Sequence, residues 1–340
     1  MRAFTLVEML VTTAIFLIMM VALLSMVDRV SWAWTYTRGK IQEFQQARDA
    51  FDVITRRLSE ATLNTYYDYE DSQGNTIQSG VTTFIPSTYA RQSELRFLSG
   101  TGVAGTGVAG EPRPGHAIFF QAPLGVSNPA SGLENLLNTC GFYLEYSSNQ
   151  KDLPALLPSS MARTRLRLYE LIEPSEALRV YAYTTGNSAY NGREWFSDSL
   201  NSALPPVEPV AENIIALVLL PQLSNADQIA GGYTDASLSP YYTYDSTVRT
   251  GTAALNSRNQ LPPVVRVLMV AISETAANRM NDADYQALLQ KLGGLFSNAS
   301  QLSTDMKALE DYLIGRRISY RIFNSNVAIK AAKWSGEQRK

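Results

Sequence analysis

Residues 1–28 read MRAFTLVEMLVTTAIFLIMMVALLSMVD, and the rest of the chain is interpreted from that stretch. Between Met9 and Val27 there is no charged side chain, and the polar ones are Thr12, Thr13 and Ser25. At about 1.5 Å rise per residue the run makes roughly 28 Å of helix, close to the thickness of a bilayer's hydrocarbon core. A helix is the natural way through, because lipid offers no partners to unpaired backbone groups. Glu8 does not fit a plain anchor. A carboxylate at the mouth of an apolar segment costs free energy, and it marks a functional position whose partner must be named.

Outward from this run, the apolar residues narrow to a stripe. Ile41, Phe44, Phe51, Ile54 and Leu58 fall at helical spacing, with Gln42, Glu43, Gln46, Arg48, Asp49, Arg56 and Arg57 off the stripe. The pattern predicts an amphipathic continuation over residues 29–62, with Gly39 as the expected bend. Trp32, Trp34 and Tyr36 lie just past the apolar run, where aromatic rings commonly occupy a membrane–water interface.

Residues 63–340 read as a β-rich body of short strands and turn-rich connections. Strands are predicted at 82–85, 94–98, 117–121, 141–146, 163–171, 178–183, 213–220, 264–272, 318–323 and 327–331. The 163–171 segment alternates cleanly, which predicts one buried and one wet face. Helices are predicted at about 274–292 and 302–314. Long connections are expected at 66–80, 100–115, 186–209 and 222–262, where Gly, Pro, Ser and Asn collect. The fold class is therefore α+β: a long N-terminal helix, half membrane-spanning and half amphipathic, on a mainly antiparallel head with long loops and two helices near its end.

Composition narrows the chemistry. Hydrophobic residues are 45% and charged residues 18%, which suits a globular body on a membrane helix. A net charge of −2 gives no electrostatic basis for a nucleic-acid partner. Cys140 is the single cysteine and His116 the single histidine, which excludes an intramolecular disulfide and zinc sites built on several thiolates. No cofactor, metal or catalytic group is expected. His116 reads as a hydrogen-bonded residue at the edge of an apolar strand, Cys140 as a buried thiol, and Glu170, Glu173, Asp282 and Asp284 as surface charges.

Three motifs invite other readings. Gly100-Thr101-Gly102-Val103-Ala104-Gly105 has glycines spaced as in a dinucleotide loop, but the repeat and the nearby Pro112 and Pro114 oppose the helix such a site needs. Asp68, Glu70 and Ser72 alternate oxygen ligands, yet Gln73 and Ser79 stand where an EF-hand wants Gly and Glu. Pro205-Pro206 and Pro262-Pro263 read as punctuation rather than partner motifs.

Phe4-Thr5-Leu6-Val7-Glu8-Met9-Leu10 resembles the N-terminal signature of type IV pilins and type II secretion pseudopilins. The resemblance implies a three-residue leader (1–3), peptidase cleavage between Ala3 and Phe4, N-methylation of Phe4, and a filament-core helix over 4–28. The residue before the cut is usually Gly in those families and is Ala3 here. Glu8 then pairs with the α-amino group of a neighbouring subunit. Implied partners are a prepilin peptidase, other pilin-like subunits, an inner-membrane assembly platform and membrane lipid, with the head outside the cytoplasm. Further segments, among them Leu136-Leu137-Asn138-Thr139-Cys140-Gly141-Phe142-Tyr143 and Ala331-Ala332-Lys333-Trp334-Ser335, are similar to protein C of the Verru_Chthon cassette, a group of pilin-like proteins. J-type minor pseudopilins are more distantly similar.

Competing readings are an uncleaved signal anchor, which leaves Glu8 unexplained, and a secretory signal cut after Ser31-Trp32-Ala33. A rival from another class is a membrane-anchored binding or carbohydrate-processing protein, for which Tyr241-Tyr242-Thr243-Tyr244-Asp245 offers aromatic rings suited to sugar faces.

Overall fold

A computed structural model describes residues 6–42, 44–77, 83–108, 110–128, 135–150, 158, 161–181, 192–248 and 257–335; side chains are described outside 6–8 and 28–42. The chain divides into two units, residues 1–45 and 46–340.

The first unit is built on α1 (Leu6–Gln42). The helix passes through Gly39 and ends at Gln42; Phe44 lies in a turn, and α2 (Gln45–Ser59) follows. Gly39, the expected bend, lies inside continuous helix three residues before its end. One glycine inside a long helix costs only about 1 kcal/mol relative to alanine, too little to end it.

In the second unit, α2 buries Ala47, Ala50, Phe51, Ile54 and Leu58, leaving Gln46, Arg48, Asp49 and Arg56 exposed. Two short strands, β1 (Tyr66–Glu70) and β2 (Thr88–Gln92), pair antiparallel as a ribbon. The predicted strand at 82–85 is absent among its described residues 83–85, and the ribbon lies partly in a stretch read as a loop. It was hidden because its outward side chains are Tyr67, Tyr69 and Tyr89, whose rings meet across the pair, Tyr67 stacked and Tyr69 tilted on Tyr89, and give no apolar alternation.

The main sheet comprises β3 (Phe97–Thr101), β4 (His116–Pro123), β5 (Leu137–Ser148), β6 (Thr164–Glu173), β7 (Val207–Glu212) and β9 (Tyr244–Asp245), in the order β7-β6-β5-β4-β3-β9, all antiparallel. Helix α3 (Glu194–Leu200) covers one face, packing Trp195, Phe196 and Leu200 against Leu98, Phe119, Tyr143, Tyr169 and Leu171. The Phe119 and Phe196 rings stack at 3.9 Å. Residues 178–181 are coil and turn rather than the expected strand.

The second sheet orders β11 (Tyr320–Ala328), β10 (Val264–Ile272) and β8 (Ile214–Gln222). The two strands expected at 318–323 and 327–331 are one, since the polar Asn324-Ser325-Asn326 continues the ladder on β10. α4 (Asn225–Gly231) lies in a segment expected as connection. The helix expected over 274–292 divides into α5 (Glu274–Ala277) and α6 (Asp282–Gly293), because Asn281 restarts it with a capping box to Asp284. α7 (Leu302–Gly315) follows. These helices pack Ala276, Tyr285, Leu288, Leu309 and Leu313 onto Val218, Leu268, Val270 and Ile272.

Candidate functional site

The stretch from Met9 to Val27 is exposed throughout and is long and apolar enough to cross a membrane. Its hydroxyls turn inward on the helix: Thr12 and Thr13 donate to the carbonyl of Met9 at 3.0 Å, and Ser25 to that of Ala22 at 2.8 Å. Polar side chains satisfied in this way lose most of their cost in lipid. The backbone of Glu8 belongs to α1. Its side chain lies outside the described residues, as do Ala3 and Phe4 altogether.

Among the described residues, Phe51, Arg57 and Ser59 tie the amphipathic helix to the head. Phe51 meets Phe323 of β11 at 5.6 Å between rings, Arg57 Nε reaches Glu170 of β6 at 3.3 Å, and the carbonyl of Ser59 accepts from the Lys330 amide at 3.1 Å. Of the predicted stripe, Phe51, Ile54 and Leu58 are buried and Phe44 is partly exposed. The side chain of Ile41, like those of Trp32, Trp34 and Tyr36, lies outside the description.

Several charges expected at the surface are inside. Glu173 is fully buried, receives the Ser199 hydroxyl and the Arg179 amide, and has its pKa raised by loss of solvation. Glu170 is largely buried, with its pKa raised by the same cause against the opposing charge of Arg57. Asp282 is exposed and Asp284 partly so, as expected.

The expected wet face of β6 is the largest correction. Arg165 and Arg167 keep only 4% and 1% of their side-chain surface exposed. Arg165 forms a two-pronged contact with Glu274 at 2.7 and 2.9 Å, and Arg167 Nε donates to Glu212 at 3.0 Å. The Arg165 contact holds the Glu274 carboxyl below its ordinary pKa. Regular alternation showed where these arginines point, but the acids that neutralise them come from β7 and α5, far along the chain.

His116 is buried and opens the apolar strand β4, hydrogen-bonded at its edge as expected. Its Nδ1 accepts the Leu219 amide at 3.0 Å, so Nε2 carries the hydrogen and donates to the Phe296 carbonyl at 3.0 Å. The neutral ring therefore ties β4 to β8 and to the turn after α6. Burial pushes its pKa down to about 4. Cys140 is buried with Sγ 4.0 Å from Glu170, and burial raises its thiol pKa well above the ordinary value.

The remaining motifs resolve as local structure. Residues 102–104 form a turn after β3, and among the described residues no helix opens at Gly105. Glu70 faces Arg258 at 3.0 Å and Gln92, while Asp71 accepts the amides of Gln73 and Asn75. Among the described residues no three His, Cys, Asp or Glu side chains gather as a metal cage would require. Pro205-Pro206 line a cleft of about 390 Å³ beside Glu170 and Glu208. Tyr242 and Tyr244 are wholly buried, so within 241–245 the exposed ring is Tyr241. The exposed tyrosines whose rings meet are instead Tyr67, Tyr69 and Tyr89.

These features define an α+β protein with antiparallel sheets and an N-terminal apolar helix suited to a membrane. No family model matches the chain, and neither does any curated protein or solved structure.

Proposed function

We propose that the chain is a minor pilin or pseudopilin, a structural subunit of a type IV pilus-like or type II secretion-like filament. The observation that carries this reading is Glu8, an acid placed directly before an exposed, uncharged and mainly apolar span of 19 residues. Cleavage between Ala3 and Phe4 gives that acid a partner, the new α-amino group of a neighbouring subunit. In low-dielectric surroundings the pairing is strong enough to set register. Before assembly the subunit is held in the inner membrane with Arg2 on the cytoplasmic side and the head outside. α2, seated on the head through Phe51, Arg57 and Ser59, links the apolar helix to that body.

Mass spectrometry of the N-terminus of protein from its own host tests the reading. N-methyl-Phe4 is expected; an intact Met1 or a start at Trp34 overturns it. Glu8→Val and Glu8→Ala are expected to insert into the membrane normally and to fail in filament incorporation. Normal incorporation of both removes the assembly role.

A second reading, a membrane-anchored extracytoplasmic binding protein, is favoured by the exposed cluster of Tyr67, Tyr69 and Tyr89. It predicts an unprocessed N-terminus together with retention on polysaccharide that Tyr89→Ala abolishes.

A further inference from the structure

Sheet edges invite pairing with other chains unless they are short, bulged, proline-bearing or covered. Most edges in this head carry such a device. β7 holds Pro209, and its register with β6 shifts between Leu168 and Tyr169. β9 is two residues long. The outer flank of β8 is closed: the Leu219 amide goes to His116, and the Pro221 carbonyl accepts from Leu238. In the ribbon, the Arg91 carbonyl of β2 accepts from Asn259, and Glu70 of β1 bridges to Thr76.

β11 is built differently. It runs nine residues without a register shift against β10, contains no proline and leaves Arg321, Asn324, Asn326 and Ala328 exposed. The direction of its backbone groups follows from two bonds flanking the strand. The Ile329 amide donates to Pro263 and the Ser273 amide to the Ser319 carbonyl, both in the register that pairs Val264 with Ala328. Odd-numbered residues from 319 to 329 therefore point their amides and carbonyls at β10. Tyr320, Ile322, Asn324, Asn326 and Ala328 turn theirs outward, and among the described residues no backbone group meets them.

We propose that this edge pairs with β11 of a second copy of the chain, antiparallel and centred on Asn324, joining two three-stranded sheets into one of six. An isologous contact needs a self-complementary strand, and this register supplies one. Ile322 falls opposite Asn326, Phe323 opposite Ser325, and Arg321 opposite Val327, so no charge meets its like. The outward backbone groups of both strands are then satisfied in reciprocal pairs, with the two Asn324 residues facing each other on the axis. The proposal does not rest on the filament reading and stands or falls separately from it.

Mild oxidation of single-cysteine variants of the full chain in detergent micelles tests the pairing, since the native Cys140 is buried. In the proposed register two Asn324 positions lie about 5.5 Å apart between Cα atoms, within disulfide reach. Two Ala328 positions lie roughly 27 Å apart. Asn324→Cys is expected to give a covalent dimer and Ala328→Cys none. Adding Asn326→Pro to Asn324→Cys should abolish the dimer with circular dichroism and melting kept, because the Asn326 amide faces away from β10. Absence of a dimer with Asn324→Cys, equal yields at the two positions, or a dimer that survives Asn326→Pro overturns the proposal. Should the proline variant lose its fold, the contrast between Asn324→Cys and Ala328→Cys decides alone.

Discussion

Between Met9 and Val27 every side chain of α1 is exposed, whereas α2 buries Ala47, Ala50, Phe51, Ile54 and Leu58 against the head. Both are helices, and the difference lies in how apolar residues are distributed round them. An all-round apolar helix finds no complement in its own polypeptide and needs a surrounding solvent or assembly to cover it. A striped helix is complete once one face is seated. Membrane residence and head stability are thus written into adjacent segments and should separate experimentally. Removing residues 1–44 is the most drastic way to break the contrast. The remaining chain is expected to be soluble without detergent and to melt cooperatively, read by circular dichroism. Aggregation or a broad, non-cooperative melt would show that the apolar segment also supports the head.

Both helices were legible in the sequence because the distribution of apolar residues round each, all-round in α1 and striped in α2, is a matter of local spacing. Sequence periodicity revealed β4, β5, β8 and β10 through their apolar runs and β6 through its alternation. It failed where the deciding partner is remote. β1 and β2 hold together through tyrosines that remain exposed, and β11 bridges a polar Asn324-Ser325-Asn326 stretch through backbone pairing with β10. Of the proposed assembly site, the position of Glu8 and the apolar run after it were legible; the attachments of α2 through Phe51, Arg57 and Ser59 were not, because Phe323, Glu170 and Lys330 lie far away in the chain.

Arg167 sharpens the point, because an apparently wet position on β6 is closed by Glu212. Arg167→Ala in the chain lacking residues 1–44 is expected to cost about 2–4 kcal/mol, because the Ser147 and Arg163 carbonyls lose the donors of a buried guanidinium. Urea denaturation reads this as a lower midpoint. A loss below about 1 kcal/mol would place the guanidinium in water, as surface pairs behave.

His116 gives the head an acid sensitivity that the Met9–Val27 segment, which holds no titratable group, cannot have. Its folded pKa, near 4, lies below the unfolded value of 6.5, so the unfolded chain binds the proton first. The resulting stability is fully present above pH 6.5 and is lost as pH falls toward 4, by about 3 kcal/mol at most. Glu173, with its raised pKa, works in the opposite direction over part of that range. The test is therefore the difference between the parent and His116→Gln: parent stability should fall more steeply over this window. Parallel pH profiles would mean that the ring is solvated.

The smallest expected effect compares the two helices directly. Ile54 has no exposed surface, while Ile15 is more than half exposed. Removing one methyl group from a close-packed position leaves a void that neighbours fill only partly, so Ile54→Val is expected to cost about 0.5–1.5 kcal/mol. Removing the same methyl at Ile15 changes only the exposed surface of the apolar helix. Ile15→Val in the full chain should leave the head's midpoint where it is, while Ile54→Val lowers it with an unchanged denaturant slope. An equal shift from both substitutions would mean that the apolar helix contributes to the core of the head, and the division of labour between the two segments would fail.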